Sequence, residues 1–353
     1  MRTSNKEEKP VGDEKSARKS VGKSTAEERL LDIAGLRVDL ADGRTVLHDV
    51  SYAVRPGESL GLVGESGSGK SMSLKAVLRM LPARARAEGG VTFDGRSVTA
   101  MNPRELRAFR AGEVAMIPQD PRAAANPVRT VGDFLTEVLV RARGVARRKA
   151  ADQAIRHLAD VGVADGEQRL RQHPHQLSGG LLQRVMIAAA LAAGPRLLLA
   201  DEPTTALDVT TQQEVMAILH EQRRRHHLAM VLVTHDLDLA AAVTDSIAVM
   251  YAGTIVELGP SKGLHRTARH PYTAGLLRSR PAIGTRARPV SLPGRPLSAF
   301  EAGPGCVFAD RCAFAEKRCR TDRPRLEAQG THLVACHRAA ELAAAGSLLE
   351  RTS

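Results

Sequence analysis

The 353-residue chain has no tryptophan, three tyrosines and six phenylalanines, so aromatic side chains make up only 3% of it. Surfaces that stack single-stranded bases are built from such rings. Their scarcity argues against nucleic acid as a partner, although the net charge is +12. Arginine is also spread along the whole chain rather than gathered into one basic patch. Diffuse basicity of this kind suits a protein lying under an anionic membrane face. No apolar run approaches the roughly 18 residues that a bilayer-spanning helix needs. Met186 to Ala193 is among the longest and is far too short. No apolar segment near Met1 reads as a secretory signal. The expectation is a soluble protein on the cytoplasmic side, reaching a membrane only through a partner. Cysteine is scarce too: Cys306, Cys312, Cys319 and Cys336 all fall in the last fifth of the chain. That placement excludes a disulfide framework distributed through the fold.

With 43% hydrophobic and 25% charged residues, the chain can build one large core and a smaller module. Residues 1–28 are rich in Lys, Glu and Ser without apolar periodicity, which predicts a disordered tail. Leu36 to Leu40 alternates as a strand does, Ala41 to Arg44 reads as a turn, and Val46 to Val54 returns as a second strand. Val91 to Phe93 with Asp94-Gly95 predicts a hairpin, and residues 101–175 carry helical patterns broken by Pro and Gly. Leu197 to Ala200 and Met230 to Val233 are short all-apolar runs, as in the middle of a parallel sheet. The alternation is that of an α/β fold. The predicted organisation is a domain over 29–280 with a helical subdomain at about 101–180, a linker at 281–304, a small cysteine module at 305–340 and a tail at 341–353.

The strongest single motif is Gly64-Glu65-Ser66-Gly67-Ser68-Gly69-Lys70-Ser71, the G-x-x-x-x-G-K-S phosphate-binding loop. An apolar run, Ser59 to Val63, precedes it, and helical spacing over Met72 to Leu81 follows. A strand, a glycine-rich turn and a helix N-terminus aim backbone N–H groups and the positive end of a helix dipole at an anion. Lys70 is expected to reach the β- and γ-phosphates and Ser71 to hold Mg²⁺. A second Gly-Lys-Ser, at Gly22 to Ser24, has Ala17 where the first glycine belongs and lacks a preceding strand, so it is rejected.

Leu197 to Ala200 runs into Asp201-Glu202, and Pro203-Thr204-Thr205-Ala206-Leu207-Asp208 follows. An apolar strand ending in two acids can place the first near Mg²⁺ and let the second orient or deprotonate an attacking water. Leu177-Ser178-Gly179-Gly180, followed by Gln183-Arg184, opens a further helix predicted to start near Leu181 and offers another anion-binding N-terminus.

Through these motifs the chain resembles the ATP-binding subunit of ABC transporters over roughly residues 30–340. The resemblance implies a P-loop NTPase core of the ABC ATPase type, with ATP and Mg²⁺ as ligands and Glu202 as the catalytic carboxylate. It implies that Leu177, Ser178, Gly179 and Gly180 are the signature that binds the γ-phosphate held by the other subunit of a head-to-tail dimer. Gln119, in Ile117 to Pro121, matches the glutamine that senses Mg²⁺ and the membrane subunit. Asp208 matches the D-loop aspartate, and His235, in Val233 to Asp236, matches the switch histidine. Two positions depart from the pattern. Leu40 stands where an aromatic residue usually stacks on adenine, and Leu181 where Gln or Met is usual.

The tail resembles the oligopeptide/dipeptide/nickel importers, through His270-Pro271-Tyr272-Thr273 with Leu276-Leu277 and through the cysteine module. This implies an ATP-driven importer motor on the cytoplasmic face of a bacterial cell membrane. Its partners would be two membrane permeases, a second ATPase subunit (itself or a paralogue) and an extracytoplasmic solute-binding protein. Di- or oligopeptides are the expected cargo, with nickel or another small solute as the alternative. A soluble, non-transport ABC ATPase or an exporter subunit is a further alternative. Among the cysteines the spacing is not the paired C-x-x-C of a zinc ribbon. The resemblance implies a [4Fe–4S] cluster on all four, with Arg311, Arg318 and Arg320 offsetting its charge. Zinc with His332 or His337, or packed free thiols, remain the other readings.

Overall fold

The computed structural model describes residues 29–205, 207–279, 291–345 and 348. The predicted tail at 1–28, Ala206 and most of the first half of the predicted linker lie outside them.

β1 (Leu31–Asp39) and β2 (Thr45–Val54) pair antiparallel, and β4 (Arg86–Phe93) with β5 (Arg96–Ser97) completes a four-stranded sheet in the order β2-β1-β4-β5. Between them lie β3 (Ser59–Val63) and α1 (Lys70–Val77). Leu31, Ile33, Leu36 and Val38 put the apolar side of β1 into the core.

A helical segment follows. α2 (Pro103–Gly112) starts from a capping box between Asn102 and Glu105. After β6 (Val114–Ile117) come α3 (Pro121–Ala124), α4 (Val131–Arg143), α5 (Arg147–Asp160) and α6 (Gly166–Arg171). α4 is capped by Thr130 and Asp133 and stops at Gly144, whose φ of 64° suits the left-handed turn after a helix. β6 was not foreseen. It is four residues long, lies inside a stretch with helical spacing, and is recruited by pairing with a strand far along the chain.

The chain then alternates. α7 (Gly179–Ala192) leads to β7 (Leu197–Asp201), α8 (Val209–His226) to β8 (Ala229–Thr234), and α9 (Leu237–Val243) to β9 (Ser246–Tyr251) and β10 (Thr254–Pro260). β3, β7 and β8 are buried at every residue, which explains why they read as unbroken apolar runs. α10 (Leu264–Thr267) and α11 (Pro271–Arg278) follow. The C-terminal region holds α12 (Lys317–Thr321), β11 (Glu327–Gln329), β12 (His332–Val334) and α13 (Ala339–Ala344).

The second sheet has the order β11-β12-β10-β9-β3-β8-β7-β6. From β9 to β6 it is parallel, and from β9 to β11 it is antiparallel. The cysteine-bearing region is therefore joined to the main sheet, because β12 pairs directly with β10. A buried polar knot fixes this junction. The Glu257 carboxylate on β10, fully buried, accepts from the Arg269 and His270 backbone N–H groups at 2.9 and 3.0 Å and bonds His332 Nδ1 at 2.8 Å. These partners hold its pKa below the ordinary glutamate value against the opposing effect of burial.

Candidate functional site: a nucleotide-binding sheet edge

In open α/β sheets, ligands bind beyond the carboxyl ends of the parallel strands. Here β3, β8 and β7 are neighbours, with Val63 beside Thr234 and Asp201 beside Val233. The residues that follow these three strands are the P-loop, His235 and Glu202, and Gln119 follows β6 at the end of the same sheet. Four motifs far apart in sequence thus arrive at one edge.

The P-loop is built around a buried ammonium. Lys70 Nζ donates to the Gly64 and Glu65 carbonyls at 2.8 and 3.0 Å and lies 3.8 Å from Glu202 Oε1. Burial pushes its pKa down, and the neighbouring Glu202 and Asp201 work against that shift. Gly69 has a φ of 98° and precedes α1 directly, and a Cβ there would lie 2.7 Å from Leu47 Cδ2. Gly67, at φ 78°, has open space where a Cβ would go. Ser68 is 2% exposed, yet its hydroxyl has no hydrogen-bond partner. A buried orphan hydroxyl, a buried ammonium and a glycine facing open space are what a polyphosphate cradle requires.

Ser71 Oγ donates to Asp201 Oδ1 at 2.7 Å. Burial, with Glu202 adding its repulsion, pushes the Asp201 pKa up, while the Ser71 bond opposes it. A buried carboxylate beside a hydroxyl is a donor pair for Mg²⁺, which takes few protein oxygens and completes its shell with phosphate and water. Glu202 sits at φ 44°, a left-handed conformation that costs a non-glycine residue about 1–2 kcal/mol. Its N–H donates to the Val233 carbonyl at 3.0 Å. Its Oε2 accepts from Gln119 Nε2 at 2.9 Å and Thr205 Oγ1 at 3.0 Å, and lies 4.0 Å from His235 Nδ1. The carboxylate is therefore held at a fixed point among Lys70, Gln119 and an exposed histidine.

The remaining motif residues stand elsewhere. Leu177 is buried, whereas Ser178 is exposed and caps α7 by accepting from the Leu181 N–H at 3.3 Å. Helix α7 begins at Gly179, two residues before the expected start. Asp208 is exposed and caps α8 through the Thr211 N–H and hydroxyl, which pull its pKa down. Leu40 is half-buried and its N–H donates to the Arg44 carbonyl at 2.8 Å, closing the β1–β2 turn.

Two contacts were not foreseen. Tyr272 Oη accepts from the Glu65 N–H at 3.2 Å, and Arg311 Nη1 donates to Glu65 Oε2 at 2.9 Å. Tyr272 belongs to the His-Pro-Tyr-Thr element, so its position was visible but its partner was not.

The iron–sulfur expectation is corrected. Among the described residues no group of three or more His, Cys, Asp or Glu is arranged to hold a metal ion. Cys306, Cys312, Cys319 and Cys336 line one small pocket with Phe308, Phe314 and Leu342. Burial there pushes the thiols of Cys306, Cys312 and Cys336 up to about 11, so they stand as neutral packed groups. The histidines and arginines offered as ligands or counter-charges are engaged elsewhere. His332 bonds Glu257, His337 bonds the Asp322 carbonyl, Arg318 pairs with Glu316, and Arg320 pairs with Asp310.

The family profile described as ABC transporter matches residues 47–205, and that of the oligopeptide/dipeptide transporter C-terminal region matches 256–319. The oligopeptide transport ATP-binding protein OppD of Salmonella typhimurium is 40% identical over 303 residues, which is 85% of this chain and 90% of that protein. The dipeptide transport ATP-binding protein DppD of Escherichia coli is 42% identical, over 84% of this chain and 92% of its own length. Among solved structures, the ATP-binding cassette MJ0796, a dimer bound to ADP and Pi in a post-hydrolysis state, superposes with a TM-score of 0.59. It is 26% identical and covers 65% of this chain and 98% of its own. Fold and site together define an ATP-binding and ATP-hydrolysing ABC cassette. Within that class, the chain belongs to the family of oligopeptide/dipeptide importer ATP-binding subunits. No helix among the described residues is long and apolar enough to cross a membrane.

Proposed function

We propose that this chain is the ATP-hydrolysing motor of a di- or oligopeptide importer. It works as a head-to-tail pair with a second ATPase subunit beneath two membrane permeases, on the cytoplasmic face of the membrane. An extracytoplasmic solute-binding protein delivers the peptide. The peptide cargo rests on the relatives, whose names refer to oligopeptide and dipeptide transport. The observation that carries the enzymatic reading is the fixed Glu202 carboxylate, bonded by Gln119 and Thr205 and 3.8 Å from Lys70.

In this reading residues 64–71 wrap the phosphates, and Lys70 leaves its loop carbonyls for the β- and γ-oxygens. Ser71, Asp201 and Gln119 would hold Mg²⁺, which would neutralise charge on the phosphate oxygens. Glu202 orients a water and accepts its proton as the water oxygen attacks the γ-phosphorus, giving ADP and inorganic phosphate. His235 contacts the γ-phosphate from the neighbouring strand. Ser178, Gly179 and Gly180 act on the nucleotide of the partner subunit, and Asp208 lies at the interface between the two. The Glu202→Gln variant tests this. It should bind ATP as the wild type does while turnover falls by roughly 10²–10⁴. Wild-type hydrolysis in that variant would remove Glu202 from the mechanism.

A further inference from the structure

The C-terminal region reaches into the nucleotide site through one side chain. Arg311 is only 6% exposed, and it ends a short helical turn, Ala309–Arg311, between Cys306 and Cys312. Its Nε donates to the Pro293 carbonyl at 2.8 Å, and its Nη1 donates to Tyr251 Oη at 3.2 Å. The fork then closes on Glu65, with Nη1 to Oε2 at 2.9 Å and Nη2 to Oε1 at 3.4 Å. Behind it Phe308 packs on the rings of Tyr251 and Tyr272, with centroids 5.5 and 5.3 Å away.

Glu65 is the second residue of the P-loop, and every polar part of it is engaged. Its N–H donates to Tyr272, its carbonyl accepts from Lys70, and its carboxylate meets Arg311. A carboxylate in a loop that binds a polyanion repels its ligand unless a cation cancels it. We infer that Arg311 is a positioning residue for ATP binding: it neutralises Glu65 and fixes the first turn of the P-loop from the C-terminal region. The inference rests on the reading of residues 64–71 as the nucleotide site. It gives the C-terminal region a part in nucleotide affinity.

The test uses the full chain, with ATP affinity, KM and kcat measured for a small set of variants. Arg311→Gln leaves Glu65 uncompensated, and KM for ATP should rise roughly tenfold with kcat changed less than about twofold. Adding Glu65→Gln removes the uncompensated charge, so the double variant should return to within about threefold of the wild type. A merely structural role would make the double variant at least as poor as the single one. Arg311→Lys keeps the charge but loses the fork, and its KM should rise by an intermediate amount. It carries the test if Arg311→Gln does not fold. An unchanged KM in whichever of these two variants folds would overturn the inference, and so would additive losses in the double variant. Lys70→Ala separates the two levels. If it leaves ATP binding intact, the nucleotide-site reading itself fails. If it abolishes binding while the Arg311 variants bind normally, only the role of Arg311 fails.

Discussion

The two glycine-rich helix starts proposed to serve phosphate are built in opposite ways. At the P-loop the helix start is enclosed: Lys70 and Ser68 are buried, and Asp201, Glu202, Tyr272 and Arg311 from elsewhere in the chain surround it. At the signature, Ser178 is exposed and its hydroxyl caps its own helix by accepting from the Leu181 N–H. The first site draws its enclosing side chains from distant parts of its own chain. The second packs against Thr211 of its own chain, 2.5 Å from where a Gly180 Cβ would stand, and leaves Ser178 exposed, which suits the proposed service to a partner's nucleotide.

Removing the ammonium at the enclosed site should have the largest effect. Lys70→Ala is expected to weaken ATP binding and lower hydrolysis, together by roughly 10²-fold or more. Nucleotide titration and steady-state ATPase measurements check this, and unchanged values would dissolve the contrast between the two sites.

Ser178→Ala should be smaller and of a different kind. ATP binding to the isolated subunit stays as it was, while turnover of the assembled pair drops by roughly tenfold or more. Mixing this variant with a Lys70→Ala chain sharpens the comparison, since the lost activity should follow the partner's P-loop. A collapse of binding in the isolated subunit would place Ser178 in its own chain's site instead.

Gly180→Ala should act more weakly. A Cβ there would lie 2.5 Å from Thr211 Cγ2, and Thr211 holds Asp208 at both its N–H and its hydroxyl. The expected result is a several-fold fall in turnover of the pair, on the order of threefold to tenfold, with unchanged binding to one subunit. Turnover equal to the wild type would show that Thr211 moves aside without disturbing Asp208.

Acid should distinguish the two ends most gently. His270 is buried and its pKa is pushed from 6.5 down to about 4 by desolvation. Between these values the unfolded chain binds the additional proton, so the stability due to His270 falls as pH drops from 6.5 toward 4. Glu257, with its lowered folded pKa, adds a loss in the same direction as pH falls below the ordinary glutamate range. Hydrogen exchange across this window should show residues 271–278, which back the P-loop, losing protection before residues 179–192 do. The reverse order would detach this polar knot from the enclosed site.

The nucleotide edge was largely legible from sequence, because its chemistry demands fixed local patterns. Lys70, Ser71, Asp201, Glu202 and His235 each follow an apolar strand or open a helix, and those signals lie within a few residues. The far edge of the sheet was not legible. β11 and β12 are three residues each, too short for periodicity, and β12 pairs with a strand more than 70 residues earlier. Arg311 was visible only as one basic residue beside the cysteines, since its partner Glu65 lies 246 positions away. The metal reading failed for a related reason. Four clustered cysteines fix composition, whereas ligation depends on how their side chains converge, and here they pack among Phe308, Phe314 and Leu342.

The Glu257–His332 bond also sets a timetable. The two residues are 75 positions apart. At ribosomal rates of about 5–20 residues per second, the carboxylate emerges roughly 4–15 seconds before its imidazole. Until then β10 lacks β12 and presents an open sheet edge, the feature most prone to pairing with a foreign strand. A nascent chain stalled between Pro260 and His332 therefore holds a nearly complete nucleotide site beside an unsealed β-edge, and it is the later arrival of β12 that closes it.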